Sequence, residues 1–467
     1  WTPFGQLVTQ KEQIVLPAPL PEGAYKPCEK SKHLLFPALD QFRLNLPKPV
    51  ASALAAWIAD GLPGVTSDHH RQVYELLSEY KANGGSDISM GRLRQYLGTR
   101  LTSTGKDPAI TLWLTGDSRG HSTGYLHYAN VCVSDLADTY TKAVWPLFNQ
   151  HASGERSRSR DVSVGSRAVP KEKYLQKCVN KFSHRFNASH FSEKIPSAVA
   201  DRHNLMVNYL SSILTAVVGH RISSALLELK RGDFCLSMDG KSWAGIATFG
   251  DKRKDAAHHF RPAALGRHVA EQVGLYLLHL SALGKLLDKH QCLNSSRTMV
   301  AAALDGSGPL FFWLDQTLDY KSTDFSAWHK EFQSTFEGLP SNFGRHYLAY
   351  SIRRSESTAS SSFDHTSEVG RGELSCLALG HFSVIGNPFG NDSPTDIISM
   401  ATALGHHVDR VYNQQGWVRR GGLASAPKRF HPDHVLFPDM RLKTWCSERK
   451  SLERALQQQQ KRINRVR

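Results

Sequence analysis

Three short segments hold the side chains best suited to chemistry. Arg221 lies in the stretch 215–233 (Thr-Ala-Val-Val-Gly-His-Arg-Ile-Ser-Ser-Ala-Leu-Leu-Glu-Leu-Lys-Arg-Gly-Asp); Arg345 and His346 follow Asn342, Phe343 and Gly344; His381 follows Leu379 and Gly380. Two guanidinium forks meeting on one anion suit a phosphate, because each planar fork donates two parallel hydrogen bonds. His381 can donate to the same group. Asn342 can donate as well, but it cannot move a proton near neutral pH. The pairs His258-His259 and His406-His407 suggest no metal site, since adjacent side chains point apart and no carboxylate spacing supports them. No metal and no cofactor is expected.

The composition indicates the source of the phosphate. With 467 residues, the chain is long enough for two or three domains with full cores. Its net charge of +15 favours a polyanionic partner, and duplex DNA fits best. Hydrophobic content of 40% and charged content of 21% describe an ordinary globular protein. No apolar run is long enough to span a bilayer, and the start shows no basic-then-apolar secretory pattern. Seven cysteines are scattered without C-x-x-C pairs, which reads as reduced thiols and a cytoplasmic, DNA-associated protein outside any membrane.

These segments resemble the catalytic boxes of the tyrosine recombinase (phage integrase-like) family. Gly219, Arg221, Leu226, Leu229 and Asp233 fall in register with the first box, the run 342–346 with the second, and Leu379, Gly380 and His381 with the third. The resemblance covers roughly 160–420. It implies that Arg221 and Arg345 stabilise the pentavalent phosphate, and that His381 donates to it. It also implies a general-acid lysine on a hairpin after the first box, with Lys252 preferred over Lys254. The sequence departs from the family at Ser224, where Glu is usual, and at Asn342, where His is usual. Gly390 stands where the nucleophilic tyrosine is expected, and the next tyrosine is Tyr412. Tyr412 is thus the candidate nucleophile, although Ile397, Ala401, Leu404 and Val408 place it on an apolar helical stripe. The activity implied is site-specific strand cleavage and rejoining by transesterification through a covalent protein–DNA intermediate, by a homo-oligomer on DNA. The alternative is an inactive DNA-binding protein of the same fold, a regulator or assembly partner of a mobile element.

The elements that must position these residues read as mainly α with a small β-hairpin or sheet. Residues 1–50 form a Pro-rich extended lead-in. The stretch 51–152 forms a helical N-terminal DNA-binding domain with helices at 51–58, 71–81, 90–101 and 133–148. A basic linker follows at 153–168, then a recombinase-like catalytic domain at 169–440. Its helices are expected at 169–184, 196–217, 220–231, 264–285, 322–336, 346–354 and 373–380, and from Ser393 to the stop at Gly416. Asp239-Gly240 between two alternating runs predicts a hairpin. Lys171, Lys177, Lys181 and Arg185 on the first of those helices, with Arg253, Lys254 and His346, are candidate DNA contacts. The tail 441–467 reads as a basic amphipathic helix.

Overall fold

The computed structural model describes residues 6–8, 12–18, 24–60, 67–86, 88–103, 107–115, 123–149, 162–188, 191–239, 242–250, 260–290, 294–322, 324–354, 374–375, 378–380 and 397–423. The chain is mainly helical with small sheets. The first half contains β1 (Gln6–Val8), β2 (Gln13–Pro17), α1 (Glu29–Lys32), β3 (Ala38–Leu39), β4 (Gln41–Asn45), α2 (Lys48–Ala59), α3 (Ser67–Ala82), α4 (Met90–Ser103), α5 (Pro108–Thr115), α6 (Thr123–Tyr128), β5 (Asn130–Cys132), α7 (Val133–Val144) and β6 (Ser163–Gly165). The second half contains α8 (Glu172–Ala188), α9 (Pro196–Ala216), β7 (Phe234–Asp239), β8 (Ser242–Gly250), β9 (Phe260–Ala264), α10 (Gly266–Lys289), α11 (Asn294–Asp305), β10 (Trp313–Leu314), β11 (Tyr320–Lys321), α12 (Phe325–Thr335), α13 (Phe343–Arg353) and α14 (Ile397–Gln414).

Buried apolar side chains gather into two clusters. One joins Ile14, Phe42 and Leu44 to Leu101, Ile110, Trp113, Leu136 and Val164. The other runs from Val169 to Trp417 and takes in Tyr128 from the first half. The lead-in is therefore not merely extended. Strands β1, β2 and β4 form an antiparallel sheet in that order, and β4 turns Phe42 and Leu44 inward while Gln41, Arg43 and Asn45 stay exposed. The end of the expected linker is also folded: β6 pairs with β3 in parallel and with β5 antiparallel. Residues 150–161, which hold its basic run, lie outside the described residues, as does the tail 441–467.

Most expected helices in the second half form within a few residues of their sequence limits; 373–380 is described only in part. The exception is 220–231, which makes two short 3-10 turns, Ser224–Leu226 and Arg231–Asp233. Gly219 explains the break. At φ +72 it adopts the left-handed conformation that ends α9, and His220 N–H then reaches back to Leu214 O at 2.9 Å. Downstream, Leu229 O accepts from Leu310 N–H at 2.7 Å, an acceptor a continuous helix would have used internally. The hairpin forms as its turn signal indicates, with Asp239 paired to Ser242, and β9 adds a third strand.

Helix α14 docks on α10 through polar as well as apolar contacts. The Asp409 carboxylate accepts from Arg267 N–H at 3.0 Å and His268 N–H at 2.8 Å, so one helix caps the start of the other. The segment after α14 is tied down by a relay of two buried histidines. Leu423 N–H donates to His279 Nδ1 at 2.9 Å, which leaves His279 Nε2–H to donate to His203 Nδ1 at 3.0 Å; His203 Nε2–H then donates to Phe312 O at 2.9 Å. Both rings must be neutral for this chain of bonds. Burial holds His203 down at about 4, and burial together with the neighbouring His203 holds His279 well below the ordinary range. Since the unfolded histidines protonate near 6.5, stability is complete above that pH and declines as pH falls toward about 4, by up to about 1.4 kcal/mol per unit for each ring. Urea unfolding at stepped pH checks this. His279→Leu, which strips Leu423 N–H of its acceptor, is expected to cost about 1–3 kcal/mol at neutral pH and to reduce the acid sensitivity.

Candidate phosphate site

The site is organised around α13. Residues 343 to 349 are all buried, so this helix lies inside the protein rather than along its surface. Gly344 makes that depth achievable: a Cβ there would sit 2.1 Å from Thr215 O at the end of α9, well inside contact distance. The close approach carries Arg345 beneath the Gly219 turn.

Arg345 is 1% exposed, and its guanidinium is shared among three parts of the chain. Nη1 donates to Gly219 O at 3.1 Å, Nη2 to Leu379 O, and Nε to the Tyr128 hydroxyl at 3.2 Å. The cation also lies 5.3 Å from the centre of the Tyr128 ring. One buried fork therefore joins the turn before Arg221, the segment before His381, and α6 of the first half. Arg261 on β9 repeats the pattern, donating to Ala378 O and to Gly219 O, the latter at 3.0 Å, with its head 5.2 Å from the Phe249 ring. Gly219 O thus accepts from two guanidinium groups, which fixes the turn and the residue that follows it.

Arg221 is that residue. It is half-buried, and its guanidinium has no hydrogen-bond or ion-pair partner among the described residues; its Nε is fully covered. His127 on α6 is also half-buried and feels the charge of both Arg221 and Arg345. Its ring centre lies 5.4 Å from that of His346. His346 is deeper, 3% exposed, with Nδ1 hydrogen-bonded to the Ser166 hydroxyl at 2.7 Å. Burial and then His127 and Arg345 hold His346 well below the ordinary histidine range; burial, Arg221 and Arg345 lower His127. The result is a floor of Arg345, Tyr128 and His346, with Arg221 and His127 above it.

This geometry revises several expectations. Arg221 and Arg345 both act on the His127 ring, but they are not two equivalent forks on one anion: Arg345 holds backbone carbonyls together, whereas Arg221 is half-buried and bonds to none of the described residues. His346 is too buried to contact DNA, because α13 packs on every side at that level. Asn342 is exposed at the start of α13 and makes no capping bond with its side chain. Tyr412 is 2% exposed, within the α9–α10–α14 core, with its ring 5.3 Å from that of His268. Burial and then the adjacent Tyr209 push its phenol strongly upward, the reverse of what a nucleophile needs. Its apolar stripe accounts for its position. Lys171, just before α8, donates to His33 O at 2.9 Å; on α8, Lys181 donates to the α12 end carbonyls Ser334 O and Thr335 O, and Arg185 pairs with Glu331. These contacts give them structural roles, whereas Lys177 stays exposed. His381, Lys252, Arg253 and Lys254 lie outside the described residues.

The sequence reading overlooked Tyr128, His127 and Arg261. No pattern marks Arg261, one arginine on a short strand. The only hint of the other two was the density of aromatic and histidine residues in Tyr125-Leu-His127-Tyr128. No group of histidine, cysteine or acidic side chains among the described residues could hold a metal, and no described helix is long and apolar enough to cross a membrane. No family model, curated protein or solved structure matches the chain.

The buried fork sets a measurable expectation. Arg345→Ala strips Gly219 O and Leu379 O of a charged donor and is expected to cost about 3 kcal/mol or more in urea unfolding. Arg345→Lys keeps the charge but not the planar fork, and should recover only part of that loss.

Proposed function

We propose that this chain binds duplex DNA through a phosphate contact at Arg221, in a site assembled from recombinase-like segments. The observation that carries this reading is the Arg345 guanidinium, which ties Gly219, two residues before Arg221, to Leu379 on the described segment 378–380. Arg221 supports it further, as a guanidinium without a partner among the described residues in a chain of net charge +15. The charges acting on the nearby His127 ring are Arg221 and Arg345, both cations, so the local field favours an anion.

Strand cleavage is a second step that the same site could support, since a phosphate held by preorganised donors is primed for in-line attack. It needs a nucleophile, however, and Tyr412 is enclosed by Tyr209, His268 and the α10–α14 contact. Where cleavage occurs, the attacking oxygen comes from a residue other than Tyr412 as it is placed here.

Arg221→Ala is expected to weaken binding to a fluorescein-labelled duplex by about tenfold or more, with a shallower dependence on salt and an unchanged circular-dichroism spectrum. Equal affinity in the two proteins would overturn the reading. For the covalent step, denaturing gels after incubation with flanking DNA should show either no adduct or one that persists in Tyr412→Phe. An adduct that disappears in that variant would restore Tyr412 as nucleophile.

A further inference from the structure

The site has a titratable component that comes from the other half of the chain. Residues His127 and Tyr128 end α6, and the chain returns as β5 beside β6, where Ser166 meets His346. This path lays α6 against α13. Tyr128 is consumed as floor, its hydroxyl accepting from Arg345 and its ring 4.5 Å from that of His346. His127 is different. Among the described residues neither ring nitrogen has a hydrogen-bond partner, and its contacts are with the rings of Tyr128 and His346. It shares this property with Arg221: both are half-buried, both lack internal partners, and the charge of Arg221 reaches the His127 ring.

We propose that His127 is a phosphate ligand of this site, reaching it from the first half of the chain and taking up a proton from solvent as the phosphodiester enters. The inference rests on the DNA-binding reading of Arg221. Its physical basis is the set of groups that face the imidazole. Arg221 and Arg345 are cations, His346 is held neutral by burial, Tyr128 offers the edge of its ring, and no described carboxylate acts on the imidazole. Within the protein itself, a proton on His127 is opposed by two guanidinium groups. A phosphodiester anion reverses the sign of that field, so the ring can then bind a proton and donate to the phosphate oxygen. Asn342 cannot make this contribution, since an amide does not titrate in this range. By linkage, binding tightens as pH falls, and the gain belongs to the complex rather than to the free protein.

The test compares wild type, His127→Gln and Arg221→Ala with one fluorescein-labelled duplex at about pH 8 and about pH 6. Wild type should gain about threefold more affinity on acidification than His127→Gln does, as a rise of about one pKa unit on binding gives between these two pH values. In wild type, the histidine ring resonance absent from His127→Gln should titrate at higher pH once duplex is added. Equal acid dependence in wild type and His127→Gln would overturn the proposal, as would an unmoved midpoint. If Arg221→Ala binds as wild type does, the failure belongs to the DNA-binding reading itself. Should His127→Gln fail to fold, calorimetry of wild type in buffers of different ionisation heat decides, because zero proton uptake overturns the proposal.

Discussion

The structure depends on one buried cation. A guanidinium at 1% exposure persists only where nearly all its donors find acceptors, and Arg345 finds them in Gly219 O, Leu379 O and the Tyr128 hydroxyl. Each acceptor sits on a different stretch of chain. The Gly219 turn stops α9 and leads to Arg221; Leu379 lies on the segment 378–380; Tyr128 anchors α6. Arg261 reinforces the first two with a second fork on Gly219 O and a bond to Ala378 O. A residue that the sequence suggested as a reagent is better described as the bolt that positions one.

The same helix holds the two halves of the chain together. Beyond Arg345 and His346, Arg353 forms an ion pair with Asp107 at 3.1 Å, with both side chains largely buried, and Arg354 donates to Cys132 Sγ. Asp107 also caps α5 by accepting from Ala109 N–H at 2.9 Å. Thus α13 contacts α5, α6, β5 and the Ser166 loop through polar groups that are costly to leave unpaired. These contacts place His127 of α6 beside His346 of α13, which is what lets the proposed site draw on both halves of the chain.

Much of this was legible in the residues, for identifiable reasons. Long helices with apolar stripes, such as α9, α10 and α14, announce themselves by period, and Gly416 and Asp239-Gly240 mark their stop and turn by backbone chemistry. The ordered segments around Arg221, Arg345 and Leu379 were recognised as belonging together, and the Arg345 hydrogen bonds join them. The division of labour among them was not legible, because burial decides whether an arginine is a ligand or a brace, and burial is a property of packing. Gly344 carried the relevant signal, but only the proximity of Thr215 O gives it meaning. The 220–231 stretch was misread for a related reason: its leucines look helical, while the Gly219 turn and the Leu229–Leu310 bond hold it in short turns. The β1–β2–β4 sheet was hidden by brevity and by interrupting prolines. Tyr412 illustrates the converse, since its apolar stripe already described a core residue.

The contact proposed between a DNA phosphate and Arg221, held by the turn that Arg345 braces, is decided by a structure of the protein bound to duplex DNA. A phosphate oxygen is expected within hydrogen-bond distance of the Arg221 guanidinium, about 3 Å, with His127 on the same phosphate. A duplex seated on another face, with Arg221 meeting no phosphate, would contradict it.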